Sequence, residues 1–319
     1  MSKEQHTLQN NFQLFSFNEE NFYLNFPKLL NENSIKILMV GDIMGRPGRQ
    51  ILKKVLPPLK SAAKIDFVTV NGENLAGGFG ITEKIYEELF ELGVDVFTMG
   101  NHWKDKQDIH LLRRKTKNIV LPHNLTGVSD VDKAPNFYLP ERHVSINVIN
   151  LMGNFAMKDN YKSPFEFLIH EKENFAEKLK SGSHIMIADI HAEASSEKQA
   201  IAWMYDGILA ALIGTHTHTP TSDERLTDKG TAFLSDVGMT GSYNSVIGMD
   251  KEVIIKKLST PGAKAPHEVA SGDNWFCAFL VEVNPKTNLA QTCYRLQCRT
   301  FSSPNSSNLS ENWIISKVG

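Results

Sequence analysis

The sequence predicts an α/β fold in which two mixed β-sheets stack on each other between flanking helices, an αββα sandwich. Two patterns carry that expectation. Short apolar runs alternate with helix-length segments over residues 35–205, as in parallel strand–helix–strand units. The later stretch turns to period-two alternation, with 276–283 and 290–297 reading as an antiparallel pair that turns at Asn284-Pro285. A parallel core passing into antiparallel strands buries its apolar faces by stacking two sheets under outer helices.

Taken in order, a strand is expected at 35–40 and a helix at 49–63. The next strand, 67–70, runs into a glycine-rich loop at 76–80. Thr82 is placed to cap a helix over 82–92, and 96–99 forms a third strand. Further strands fall at 144–151, 185–188, 209–213 and 232–234, with helices at 164–180 and 196–205 between some of them. Residues 240–272 hold Gly, Pro and Lys with weak periodicity and read as a cover or a long loop. The expected division is an N-terminal appendage at 1–34, a main domain at 35–300 and a C-terminal tail at 301–319. The appendage carries Phe12, Leu14, Phe15, Phe17, Phe22, Tyr23, Leu24 and Phe26, too apolar for pure disorder. Short helical pieces packing on the main domain, or a contact for another subunit in a homo-oligomer, fit that composition. The stretch 302–308 reads as a polar loop or tail.

Composition narrows the function classes. The 319 residues are 41% hydrophobic and 22% charged, as in an ordinary soluble domain with a sizeable core. Net charge is -2, so no broad basic field exists to hold long nucleic acid. A small anionic substrate stays open, because bound metals supply local positive charge. The three cysteines, Cys277, Cys293 and Cys298, form no C-x-x-C pair and read as reduced core or spare residues of a cytoplasmic protein rather than ligands. No apolar run approaches the roughly 20 residues of a membrane span. The opening Met-Ser-Lys-Glu-Gln-His-Thr lacks the order of a secretory signal.

The chemistry lies just after the apolar runs. Asp42 stands in Val-Gly-Asp-Ile-Met-Gly, Glu73 and Asn74 in Asn-Gly-Glu-Asn, Asn101 and His102 in Gly-Asn-His, His191 in Asp-Ile-His-Ala-Glu, and His216 with His218 in Gly-Thr-His-Thr-His. If the runs are parallel strands, their carboxyl ends share one sheet edge, where open α/β folds bind ligands. Each cluster alone has a plain structural explanation. Asp42 can cap the next helix, Asn-Gly can be a turn, and His191 can be a satisfied core histidine. His216 and His218, two apart on an extended segment, point the same way. Together, carboxylate, amide oxygen and imidazole form a donor set suited to divalent transition metals rather than to calcium or thiolate-bound zinc. The remaining histidines sit in ordinary surroundings, with His123 in reserve and His267 a candidate to reach substrate.

These residues, in this order, resemble the calcineurin-like metallophosphoesterases, and most closely their YmdB-like branch. The resemblance runs from about residue 35 to 299. Asn-Gly-Glu-Asn, Ala-Glu-Ala-Ser-Ser-Glu-Lys at 192–198 and Asp-Val-Gly-Met-Thr-Gly at 236–241 look specific to that branch. The wider superfamily carries a histidine where this chain has Met44, and a bridging aspartate where it has Glu73. Both departures are features of the branch, with Asn74 replacing the ligand lost at Met44.

The resemblance implies a metallophosphoesterase-like sandwich with two metal ions, iron or manganese. Asp42, Glu73, Asn74 and His218 would hold one ion, and Glu73, Asn101, His191 and His216 the other. His102 would face the scissile phosphate and serve the leaving oxygen. Such a centre implies hydrolysis of a small phosphodiester, with 2′,3′-cyclic nucleotides the expected class, by a metal-bound hydroxide. Phosphomonoester or protein phosphatase activity in the same site is the alternative. A nucleotide-sensing regulator without turnover is a second, which the presence of His102 disfavours. Asp189 is expected to accept a hydrogen bond from His191.

Overall fold

The computed structural model describes residues 12–128, 134–157, 161–262, 266–302 and 309–319. The chain enters through β1 (Gln13–Asn18), helix α1 (Glu19–Asn25) and a 3-10 turn (Phe26–Leu29). β2 (Ile35–Val40) and the short β3 (Asp42–Ile43) lead into α2 (Gly45–Ala63) and β4 (Phe67–Asn71). Then come α3 (Glu83–Glu91), β5 (Val96–Thr98), α4 (Asp108–Lys115) and β6 (Ile119–Val120). β7 (Asn136–Leu139), β8 (Val144–Met152), α5 (Pro164–Lys180), β9 (His184–His191), α6 (Ser195–Met204) and β10 (Ala211–Thr215) build the second half. β11 (Arg225–Leu226), β12 (Ala232–Leu234), β13 (Met239–Ser242) and α7 (Lys251–Ser259) precede the long strands β14 (Asn274–Val283), β15 (Ala290–Ser302) and β16 (Leu309–Val318).

The strands form two sheets. The first runs β1-β16-β15-β14-β2-β4-β5-β6, with β13 bonded to both β14 and β3. Its β2, β4, β5 and β6 are parallel, while β14, β15, β16 and β1 continue it antiparallel. The second runs β11-β12-β10-β9-β8-β7, parallel in the middle with antiparallel edges. β2 shows why the sheets stack. Every one of its residues is buried, the mark of a strand covered on both faces. Ile35, Ile37 and Met39 share an apolar cluster with Ile146, Val148, Ile185, Ile187 and Ile213 of the second sheet. Leu38 and Val40 face the other way, onto Leu52, Val55 and Leu56 of α2. α5 and α6 cover the second sheet through Leu168, Phe175 and Ile201. The αββα sandwich is therefore present.

The parallel strands stop together at one end. Val40 pairs with Val70, Asn71 with Thr98, and Thr215 with His191. The residues that follow β2, β4, β5, β9 and β10 therefore converge where the two sheets meet.

Several segments depart from expectation. α1 and the 3-10 turn are the short helical pieces anticipated for the N-terminus, but 13–18 adds a strand to the main sheet. In place of a tail, β16 lies between β15 and β1. The cause is aromatic: the Phe22 and Trp313 rings stack with centroids 3.7 Å apart, so the two ends of the chain bury each other. Of the expected polar tail, 303–308 lies outside the described residues. α2 begins at Gly45 rather than 49. The 240–272 stretch contains β13, α7 and backbone pairing of Met249 with Val246 and Val269, so it is more ordered than a loop. All three cysteines are free and buried. Among the described residues, no helix is long and apolar enough to cross a membrane.

Candidate metal centre

Asp42, Glu73, Asn74, Asn101, His191, His216 and His218 all reach one point at the strand ends. His191 Nε2 lies 3.1 Å from Glu73 Oε2, 3.1 Å from Asn101 Oδ1 and 3.0 Å from His216 Nδ1. His218 Nε2 lies 3.3 Å from Asn74 Oδ1 and 3.9 Å from Asp42 Oδ1. Two triads, Glu73/His191/His216 and Asp42/Glu73/His218, each have donor atoms within 4.8 Å of one another, and Glu73 belongs to both.

Local backbone makes this crowding possible. Asp42 does not cap α2, whose N-cap is Met44 without a side-chain bond. Its Oδ2 instead accepts the His216 backbone N–H at 3.0 Å. Asn74 Nδ2 donates to the Gly78 carbonyl at 3.0 Å, which turns its Oδ1 toward His218. Gly100 is required by space: a Cβ there would lie 2.0 Å from Glu73 Oε2 and 2.4 Å from His191 Nε2. The His216-Thr217-His218 segment is not extended. His216 has φ 98° and His218 φ 63°, left-handed values that cost a non-glycine residue roughly 1–3 kcal/mol each. A strained turn, not strand alternation, brings both imidazoles inward. Met44 stays outside the donor set, buried with Met239 and Met249.

The groups beneath the centre select the imidazole nitrogens that face it. Thr215 Oγ1 donates to Asp189 Oδ1 at 2.7 Å, so it accepts from His191 Nδ1 at 2.9 Å. Asp189 thus orients His191 through Thr215, and the direct bond expected from sequence is absent. Asn71 and Thr98 also donate to Asp189. His218 Nδ1 donates to the Ile247 carbonyl at 2.8 Å. Both rings therefore turn Nε2 toward oxygen acceptors.

That arrangement needs a positive charge. Asp42 Oδ1 is buried without a hydrogen-bond partner, and converging lone pairs are costly in a dry interior unless a cation or proton lies among them. Without an ion, protons take that part. Burial disfavours charge on His191, but Glu73, then Asp42 and Asp189, overcome it and raise its pKa to about 9. Burial alone would raise Glu73; the charge and hydrogen bond of His191, with His102 and His216, bring it to about 2. Burial pushes Asp42 up to about 6 against the pull of His218 and His191. Burial, then the positive His191, holds His216 down at about 3, leaving its lone pair free. The donor set, the orphaned carboxylate oxygen and the Gly100 cradle fit a pair of divalent cations better than they fit an empty core.

His102 stands beside the cluster. Its backbone N–H donates to Glu73 Oε2 at 3.2 Å, and its ring Nδ1 meets Asp105 Oδ2 at 2.8 Å. The ring is about a third exposed and lines a cleft of about 550 Å³ with Asn101, Lys104, Tyr161, Glu193 and His216. Phe79 packs edge-on between His102, 4.9 Å away, and His267, 5.0 Å away. His267 therefore sits at the rim of this site. His123 does not join it; its Nδ1 binds the Asn150 carbonyl. Sequence reasoning overlooked Asp105, Lys104 and Glu193. The first lies three residues after His102 and the last two after His191, so local spacing was the available signal. Glu193 Oε2 lies 3.4 Å from His216 Nε2.

A family model described as YmdB-like protein matches residues 38–296. A Bacillus subtilis protein named 2′,3′-cyclic-nucleotide 2′-phosphodiesterase is 38% identical over 262 residues, covering 82% of this chain and 96% of that one. A Mycoplasma pneumoniae protein named putative phosphatase/phosphodiesterase is 39% identical over 243 residues, covering 75% and 84%. Among solved structures, a novel phosphatase from Mycoplasma pneumoniae superposes with TM-score 0.75 at 33% identity, covering 84% of this chain and 94% of that one. A hypothetical protein from Thermus thermophilus gives 0.73 at 30%, covering 83% and 99%.

Proposed function

Because the chain belongs to the YmdB-like family, whose named relatives are phosphoester hydrolases, we propose that it is a two-metal phosphodiesterase acting on 2′,3′-cyclic nucleotides. The observation that carries this reading is the sharing of Glu73 by two donor triads at one point. Asp42, Asn74 and His218 would hold one ion, Asn101, His191 and His216 the other, and Glu73 would bridge. Manganese and iron both suit oxygen and imidazole donors. Bound there, the ions supply Lewis acidity for the phosphate oxygens and water that ionises near neutral pH.

The protein's own residues do the rest. Glu73, Asp42 and Asp189 concentrate negative charge, which makes the centre selective for cations when it is empty. Asp105 fixes the His102 ring through Nδ1 and leaves Nε2 for the cleft. Water attack on phosphorus breaks one ester bond of the cyclic phosphate, and the departing ribose oxygen takes its proton from His102 Nε2. The product is a nucleoside monophosphate.

Hydrolysis of 2′,3′-cyclic AMP with manganese present is the test. Asp42→Ala and His216→Ala should each abolish turnover; phosphodiester hydrolysis that survives both substitutions sinks the assignment. The names of the Mycoplasma relatives favour phosphomonoesters as a second substrate class. Competition between p-nitrophenyl phosphate and the cyclic diester separates the two.

A further inference from the structure

Two sequence segments singled out above, 192–198 and 236–241, supply no residue to either donor triad. Their ends meet beneath the centre. Lys198, on α6, is buried, and its Nζ donates to Asp236 Oδ2 at 3.0 Å and to the Thr215 carbonyl at 2.9 Å. Asp236 Oδ2 also accepts the Thr217 N–H at 3.2 Å and the Thr217 hydroxyl at 2.8 Å. Its Oδ1 accepts the Gly238 N–H at 2.9 Å. Gly238 in turn abuts Gly41, where a Cβ would lie 1.9 Å from the Gly238 carbonyl oxygen. A Cβ on Gly214 would lie 2.5 Å from Lys198 Cδ, so the lysine stem lies directly against the strand end.

The side-chain bonds of this pair reach segments that carry or adjoin a donor. Thr215 and Thr217 flank His216, Thr217 precedes His218, and Gly238 packs on the residue before Asp42. A buried ion pair is weak evidence of stabilisation, because desolvation offsets its attraction. We propose that Lys198 and Asp236 are positioning residues: their ion pair clamps the His216–His218 turn from below in the left-handed geometry that lets both imidazoles reach the centre. This rests on the metal-centre reading, and neither residue touches metal or substrate.

The test uses the full chain stripped of metal by chelator, with manganese titrated calorimetrically and unfolding followed in parallel. Lys198→Met leaves Asp236 buried and unpaired, so it should lose both stability and affinity. The double variant Lys198→Met/Asp236→Asn removes both charges; it should recover most of the lost Tm while binding manganese at least tenfold more weakly than wild type. Wild-type affinity in that variant would overturn the clamp and leave a purely structural pair. Thr217→Val, which removes the hydroxyl that donates to Asp236 and accepts the exposed Thr219 N–H, should weaken manganese binding severalfold with little change in Tm, and an unchanged affinity there also counts against the clamp. If the wild-type chain takes up no manganese, the metal-centre reading falls and the clamp with it.

Discussion

Replacing Gly100 with alanine adds one methyl group where the Glu73 carboxylate and the His191 imidazole crowd the backbone. Its Cβ would lie 2.0 Å from Glu73 Oε2 and 2.4 Å from His191 Nε2, against an ordinary contact of 3.4 Å or more. Relief requires a shift of more than an ångström in the Glu73 carboxylate, the His191 imidazole or the backbone carrying Asn101 and His102. Overpacking of this kind costs about 1–3 kcal/mol of stability, which a domain of this size survives. The functional cost is larger, because about 1 Å of misplacement in a catalytic constellation lowers turnover about 100-fold. Gly100→Ala should therefore fold, hold fewer than two manganese ions per chain after dialysis, and lose about 100-fold in kcat/KM on 2′,3′-cyclic AMP. Circular dichroism, metal analysis and a hydrolysis assay on one preparation check all three. A variant with wild-type metal content and turnover within twofold would refute the idea that Glu73 and His191 must meet where Gly100 stands.

Two further outcomes follow from the electrostatics and the fold. With His191 raised to about 9, the cation-free centre holds a proton at pH 7 that a metal must displace. Calorimetric titration with manganese in buffers of differing ionisation enthalpy should show net proton release, and apparent affinity should climb with pH up to about 9 before levelling. The sign for the cation-free fold is the reverse: a raised histidine pKa stabilises below the unfolded value and the gain is lost as pH rises through about 9. Titration without proton release would contradict the assigned protonation. Separately, Phe22→Ala removes the ring stacked on Trp313 and should cost about 3–5 kcal/mol in urea unfolding; a loss under about 1 kcal/mol would mean that the N-terminal segment is not part of the core.

What could be read from residues alone divides along the range of the interactions. The strand-end placement of Asp42, Glu73, His191 and His216 was legible because parallel strands repeat a local pattern and end in register. The paired strands 276–283 and 290–297 announced themselves by alternation across a turn. β1 did not, since it is specified by pairing with a segment about 300 positions away, as in the register of Phe17 with Trp313; β16 pairs with its neighbour β15 as well, but the polar stretch 302–308 between them read as a loop or tail. The indirect path from His191 to Asp189 through Thr215 was equally hidden, because sequence spacing suggested contact between residues that a bridging hydroxyl keeps apart. The left-handed turn at His216 and His218 also lay beyond reach: even histidine adopts that conformation only uncommonly, and the bonds around the turn, to Asp42 and Asp236, come from distant segments.

Crystals soaked in manganese and measured at its absorption edge probe the convergence of these distant segments most directly. Two anomalous peaks are expected, about 3.5–4 Å apart as in two-metal hydrolases, one against Asn101, His191 and His216, the other against Asp42, Asn74 and His218, with Glu73 touching both. No peak at the strand ends, or a single peak out of contact with Glu73, would contradict the account.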